Sequence, residues 1–205
     1  ERFEQAVAGN QRALAEVFAQ YRQRLKKMVS LRLDGRLRGR VDPSDVVQEA
    51  YLDLARELPQ YSEKRTIPLF LWMRLVTGQR LMKVHRKHLG AAMRDASRET
   101  FVHPQRFPEV NSESLARKLV GQDSSISKSV IRSEVRKQVH DALNQLNELD
   151  REIIALRNFE GLDNGETAEI LGLSPNAASK RYVRALKRLQ CQLRDIAGLE
   201  DFMFT

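Results

Sequence analysis

Apolar residues recur along most of this chain at steps of three and four, the spacing of helices that bury one face. Leu14, Val17, Phe18, Tyr21, Leu25 and Met28 form the first such stripe. The second has an explicit start. Asp42 can cap it, Pro43 suits the first helical position, and Asp45 lies in the first turn, where the helix dipole favours negative charge. Its buried side reads Val46, Val47, Ala50, Tyr51, Leu54 and Leu58, and Pro59 is expected to stop it. A polar loop, Gln60 to Thr66, leads into a third long helix from about Pro68 to Leu89, with Leu69, Trp72, Met73 and Val76 facing inward.

From Ala91 to about Ser129 the period dissolves among Pro104, Pro108 and scattered serines, which predicts a linker with at most short helices. Periodicity returns at Val135, Val139, Ala142, Leu143, Leu146 and Leu149. No internal repeat, heptad array or strand alternation is present. The expected fold is all-α: an N-terminal domain over 1–92, a flexible linker over 93–129 and a C-terminal domain over 130–205.

The C-terminal part carries the most specific local pattern. Asp150 is positioned to cap a short helix containing Ile153, Ile154 and Leu156, and Gly161 ends it. Asp163 and Glu166 stand three apart, the spacing of a capping box. The helix they open reaches Gly172-Leu173-Ser174, where glycine allows a left-handed turn, Leu173 is expected to plug the core, and Ser174 caps the next helix ahead of Pro175. Ala168 and Ala178 are small where two helices must cross. The second helix is expected to bury Ala178, Tyr182, Val183, Leu186 and Leu189, and to show Asn176, Ser179, Lys180, Arg181, Arg184, Lys187 and Arg188 to solvent. Polar groups near its start can meet base edges and cations further along can hold phosphates, so this is read as a helix-turn-helix on duplex DNA. The bland alternative is a helical hairpin with a charged outer face.

Charge strengthens that reading. The 205 residues carry a formal net charge of +8, and a basic chain gains from neutralising phosphates. Positive charge is dense over Arg22–Arg40, Arg80–Arg98 and Lys180–Arg194, whereas Asp42, Asp45, Glu49, Asp53 and Glu57 cluster on the second helix. Basic faces for DNA and one acidic face for another partner are expected. No apolar run approaches the roughly 18 residues of a spanning helix, so no membrane insertion is expected. With no apolar signal segment at the start and a single cysteine, Cys191, the chain is expected in the cytoplasm.

Three ordered motifs carry a family resemblance. Asp42-Pro43-Ser44-Asp45-Val46-Val47-Gln48-Glu49-Ala50 resembles the polymerase-binding helix of bacterial RNA polymerase sigma factors. Phe70-Leu71-Trp72-Met73-Arg74-Leu75-Val76 resembles the start of their promoter-melting helix, and Gly161-Leu162 through Leu189 resembles their terminal helix-turn-helix. The short two-domain layout is similar to the extracytoplasmic-function (ECF) subfamily. The resemblance implies that Asp45, Gln48, Glu49 and Asp53 dock on a basic coiled coil of core RNA polymerase. It implies that Gln60, Tyr61, Ser62, Glu63 and Lys64 capture a flipped promoter base, with Tyr61 either stacking on it or folded into the core. Arg74, Gln79, Arg80, Lys83, Arg86 and Lys87 would then follow the separated strand. Ser174 and the polar residues of the last helix would grip the upstream duplex element. Trp72 is assigned to the core by its period.

Two departures stand out. Gln79 replaces a usual Asn and Lys83 a usual acidic residue, and Asn176-Ala177-Ala178-Ser179-Lys180 replaces a Gly-Thr-Val-Lys-Ser type of run. The promoter sequence therefore does not transfer from the family.

No phosphate-binding glycine loop and no Cys or His pairs at zinc spacing are found, so no catalytic group, cofactor, metal or small-molecule substrate is expected. His85 and His88, three apart on one helix, are read as solvated DNA-facing residues, and Cys191 as a small packing residue. In the family an anti-sigma factor commonly masks the working surfaces, and nothing in the sequence identifies one. The competing readings are a stand-alone helix-turn-helix regulator with a sensor or dimerisation half, and a helical interaction protein. Only the sigma reading needs an acidic helix coupled to a loop and a basic helix.

Overall fold

A computed structural model describes residues 2–89, 107–120 and 129–194. Among these residues all regular structure is helical, and the chain divides into two compact units, residues 1–109 and 110–205.

In the first unit, α1 (Arg2–Val7) and α2 (Gln11–Arg32) lead to a 3-10 turn at Gly35–Leu37, then α3 (Pro43–Lys64) and α4 (Leu69–Leu89). Asn10 caps α2 by accepting from the Arg12 and Ala13 N–H groups at 3.0 and 3.1 Å. Asp42 caps α3 through Ser44 N–H at 2.6 Å with Pro43 at the first position, as the sequence predicts. α2, α3 and α4 pack on one another, and their apolar stripes meet in a core of Leu25, Met28, Val47, Leu54, Met73 and Leu81, all fully buried.

α3 departs from expectation. It continues through Pro59 to Lys64, so Gln60–Lys64 form its last turn and the connecting segment shrinks to Arg65–Pro68. Proline costs one backbone hydrogen bond, but the turn beyond it is held by side chains. The Ser62 hydroxyl donates to Pro59 O at 2.6 Å, and Tyr61 lies flat on Trp72, with ring centroids 4.3 Å apart and planes at 12°. Arg65, left-handed at φ 37°, closes the helix by donating its N–H to Tyr61 O.

Gly78 is required by close approach. Phe107, from the segment ahead of the second unit, lies against it so tightly that a Cβ there would fall 2.2 Å from the ring. The Arg74 guanidinium stacks on the same ring at 4.0 Å from its centroid and that of Arg32 lies at 5.2 Å. The buried residues of α4 therefore include a cation that the sequence reading placed on DNA.

The second unit comprises α5 (Ser112–Val120), α6 (Ser129–Gln145), α7 (Glu148–Ile154), a π-helical turn at Ala155–Phe159, α8 (Asn164–Leu171) and α9 (Pro175–Leu193). α5 falls inside the span expected as linker. It packs against α6 through fully buried Leu115 and Ala116. The rest of that span, 93–106 and 121–128, lies outside the described residues. No described helix is long and apolar enough to cross a membrane.

Candidate polymerase and DNA interfaces

The helix-turn-helix forms as its caps predict. Asp163 accepts from Glu166 N–H at 2.8 Å while the Glu166 carboxylate accepts from Asp163 N–H at 3.0 Å, completing the capping box. Gly172 takes the left-handed conformation at φ 62°, and Ser174 Oγ accepts from Ala177 N–H at 3.2 Å. Asn164 Nδ2 donates to Pro175 O at 2.7 Å, tying the start of α8 to the start of α9. Ala168 and Ala178 are buried at the crossing, and Leu173 is half-buried.

On α9 and at its cap, the exposed polar positions include Ser174, Asn176, Ser179, Lys180, Arg184 and Lys187. The last five recur at steps of three and four, so they share one face. Val183, expected inside, stands 47% exposed among them, while Ala185 takes the buried position instead. Arg188 is exposed as well and Arg181 half-buried, but both are paired with a buried carboxylate. Arg181 Nε lies 3.0 Å from Asp150 Oδ1, and Arg188 Nη1 donates to Asp150 Oδ2. Asp150 is 0% exposed and is not the helix cap. That role belongs to Asn147, whose Oδ1 accepts Asp150 N–H at 2.8 Å and Arg181 Nη2 at 3.1 Å, while its Nδ2 donates to Asp150 Oδ2 at 3.0 Å. The sequence missed this cluster because Asp150 and Asn147 are both plausible caps three residues apart. Cys191, expected to pack, is exposed.

The first unit sorts its predicted residues as firmly. Asp45, Gln48 and Glu49 are exposed on one face of α3, and Leu52, 61% exposed, continues that face. Asp53 does not join them. It is 2% exposed and accepts from Arg80 Nε at 2.7 Å, with Glu49 3.6 Å from Arg80 Nη1. Asp53 is thus removed from the expected polymerase contacts and Arg80 from the expected strand contacts, because each neutralises the other. Both Arg80 and Glu49 border a groove of about 420 Å³ between α3 and α4, along with Leu52, Lys83, Val84 and Lys87.

Lys83, Arg86, Lys87 and His88 are exposed on the second half of α4, and Gln79 is half-buried. Arg74 is buried against Phe107, which removes it from the strand-contact set. Gln60 and Lys64 are exposed and Ser62 half-buried, all on a helical turn rather than a loop. Tyr61 takes the packing alternative: besides stacking on Trp72 its hydroxyl donates to Ile67 O at 2.8 Å. Burial also pushes its phenol above the usual range.

His85 corrects a further expectation. It is buried, and its Nε2 accepts Asp34 N–H at 3.3 Å. Burial holds the imidazole below its ordinary value, the Asp34 carboxylate opposing and Arg36 adding to that effect. The Asp34 carboxyl itself is brought down to about 2 by its hydrogen bonds from Arg36. Since the fold favours neutral His85, its contribution is complete above the unfolded value of roughly 6.5 and is lost as pH falls through the lower folded value. The thermal midpoint of the first unit is expected to fall as pH drops below about 6.5, and His85→Gln, which keeps an acceptor, is expected to flatten that fall. Among the described residues no group of three or more His, Cys, Asp or Glu is placed to hold a metal ion.

The described residues thus form a two-unit helical protein with an exposed acidic helix face, a basic helix and a capped helix-turn-helix. Comparison with known proteins shows what it resembles. Residues 136–189 match the family model for sigma-70, region 4. The chain is 26% identical over 189 residues to the ECF RNA polymerase sigma factor SigD of Mycobacterium bovis, covering 92% of this chain and 81% of that protein. It is 29% identical over 149 residues to the ECF RNA polymerase sigma factor ShbA of Streptomyces griseus, covering 71% and 69%. Its fold is similar to that of CnrH in complex with the cytosolic domain of CnrY, with a TM-score of 0.55 and 22% identity over 94% of this chain and 95% of that one. Residues 136–189 thus match sigma-70, region 4, and over most of its length the chain is similar to ECF RNA polymerase sigma factors. Sigma factors as a family are not enzymes.

Proposed function

We propose that this chain is a sigma factor that docks core RNA polymerase with the Asp45, Gln48, Glu49 and Leu52 face of α3 and grips promoter DNA at two points. The observation that carries this assignment is the exposed acidic face continued by one large apolar residue, Leu52, on a helix otherwise packed into the core. Acidic groups speed and orient association with a basic partner, and an apolar residue beside them that loses water on contact holds the complex. Asp53 and Arg80 brace the face from behind.

Residues 1–92 form the domain for core binding and recognition of the promoter −10 element, and 130–205 the domain for the −35 element. Lys83, Arg86 and Lys87 follow the separated strand, with Gln60, Ser62 and Lys64 at the entry to α4. Ser174, Asn176, Ser179, Lys180, Arg184 and Lys187 meet the duplex. The polymerase supplies the chemistry and this chain contributes no catalytic group. The protein works in the cytoplasm, and an anti-sigma factor is a natural partner, CnrH itself having been solved in complex with the cytosolic domain of CnrY.

The test is transcription in vitro from genomic target promoters with core polymerase, with and without the protein. Tight duplex binding without initiation at any promoter would favour a stand-alone regulator. Asp45→Lys with Glu49→Lys is expected to weaken core association at least tenfold, roughly the 1.4 kcal/mol or more that two rim charges contribute. Binding of the same variant to free duplex should be unchanged, and a loss of both would indicate unfolding.

A further inference from the structure

We infer that Asp150 is a positioning residue that withholds two arginines of the recognition helix from DNA, so that sequence is read by a narrower set of side chains than the helix carries. The inference rests on the reading of α9 as the DNA-contacting helix. It starts from an electrostatic conflict. A carboxylate with 0% exposure is costly unless paired and hydrogen-bonded. Here it is paired twice, with Arg181 Nε at 3.0 Å and Arg188 Nη1, and hydrogen-bonded by Asn147 Nδ2 at 3.0 Å. Both cations come from α9, seven residues apart, and so from successive double turns of one face.

Arg181 and Arg188 stand three before and four after Arg184, at the edge of the outward face, and their ion pairs with Asp150 draw them toward α7. The cluster therefore does two things at once. It fixes the rotation of α9 about its own axis, because both arginines must reach one point on α7. It also lowers the number of cations free to neutralise phosphates, which add affinity without sequence information. Asn147 stiffens the arrangement by accepting from Arg181 Nη2 while capping α7. A helix with fewer free cations discriminates better between its site and other DNA, since the sequence-independent part of binding grows with each phosphate neutralised.

The experiment measures binding of the full chain to a short mixed-sequence duplex across a salt series. Lys180→Gln and Arg184→Gln should each reduce the slope of log affinity against log salt by about 0.9, the value of one phosphate contact. Arg181→Gln and Arg188→Gln should leave it unchanged. Asp150→Asn, which frees both arginines, should steepen it by up to about 1.8 on the same scale. Glu169→Gln, an equal charge change elsewhere in the helix-turn-helix, should not. Selection from a random duplex pool should then recover a less defined sequence with Asp150→Asn than with the parent.

If Lys180→Gln and Arg184→Gln leave the slope unmoved, the reading of α9 fails. If they move it and Asp150→Asn folds yet lowers affinity at constant slope, Asp150 is a packing group and this inference is overturned. Should Asp150→Asn fail to fold, the arginine variants decide: an unchanged slope supports the inference, and a drop of about 0.9 for either overturns it.

Discussion

Replacing Arg80 by methionine is expected to cost the N-terminal unit about 3 kcal/mol or more. Asp53 is the reason. Its carboxylate is 2% exposed, and Arg80 reaches it with Nε at 2.7 Å, while Arg56 approaches only to 3.6 Å with a guanidinium that faces solvent. Without Arg80 a buried charge keeps its desolvation cost and loses the attraction that offsets it. Replacing both, Asp53→Leu with Arg80→Met, should recover most of the loss, because an apolar pair of similar volume needs no compensation. Urea unfolding of the single and double variants gives the coupling directly. A single variant within about 0.5 kcal/mol of the parent would show the pair to be as weak as an exposed one.

Trp72→Ala is expected to be comparably damaging, at about 3–5 kcal/mol, the usual range for deleting a buried aromatic. Trp72 packs in the core and supports the one turn of α3 that continues past Pro59, through the ring of Tyr61 at 4.3 Å. Its removal should therefore also loosen Gln60–Lys64. Tyr61→Phe keeps the stack and deletes only the hydroxyl bond to Ile67 O, so a loss near 1 kcal/mol is expected. The chain has one tryptophan, which makes its fluorescence a local probe. Tyr61→Ala should red-shift that emission before global unfolding, and an unshifted spectrum would mean that Tyr61 does not shield the indole.

The helices and their starts were legible because their causes are local. Asp42 with Pro43, Asp163 with Glu166, and Ser174 with Pro175 satisfy their own helix ends within three residues, so no distant partner has to be known. The helix-turn-helix was legible for the same reason. Three misplacements have non-local causes. Pro59 reads as a stop until Trp72, thirteen positions later, is known to hold Tyr61 in the following turn. Arg74 reads as a DNA cation until Phe107 covers it, and His85 as a solvated residue until the Asp34 backbone meets it.

The candidate site was legible as a set of helices and less so as a set of residues. Periodicity places Arg80, Arg181 and Arg188 at polar positions, and a polar position does not say whether a cation meets phosphate or a buried carboxylate. Two carboxylates, Asp53 and Asp150, decide those three assignments, and each lies on a different helix from its arginines. Leu52 and Val183 were missed for the opposite reason, since an apolar residue at helical spacing is counted as core by default.

The division of labour on α9 has an evolutionary side. The residues that hold the helix in place, Arg181 and Arg188 against Asp150, alternate along the chain with those that face outward at Asn176, Ser179, Val183 and Arg184, yet the two groups share no partner. Substitutions in the outward group can accumulate with little effect on folding, because distant sites without common contacts are nearly additive. A duplicated copy of such a gene could drift to new promoters one base at a time while its scaffold stayed intact, a route by which a lineage can multiply its regulators.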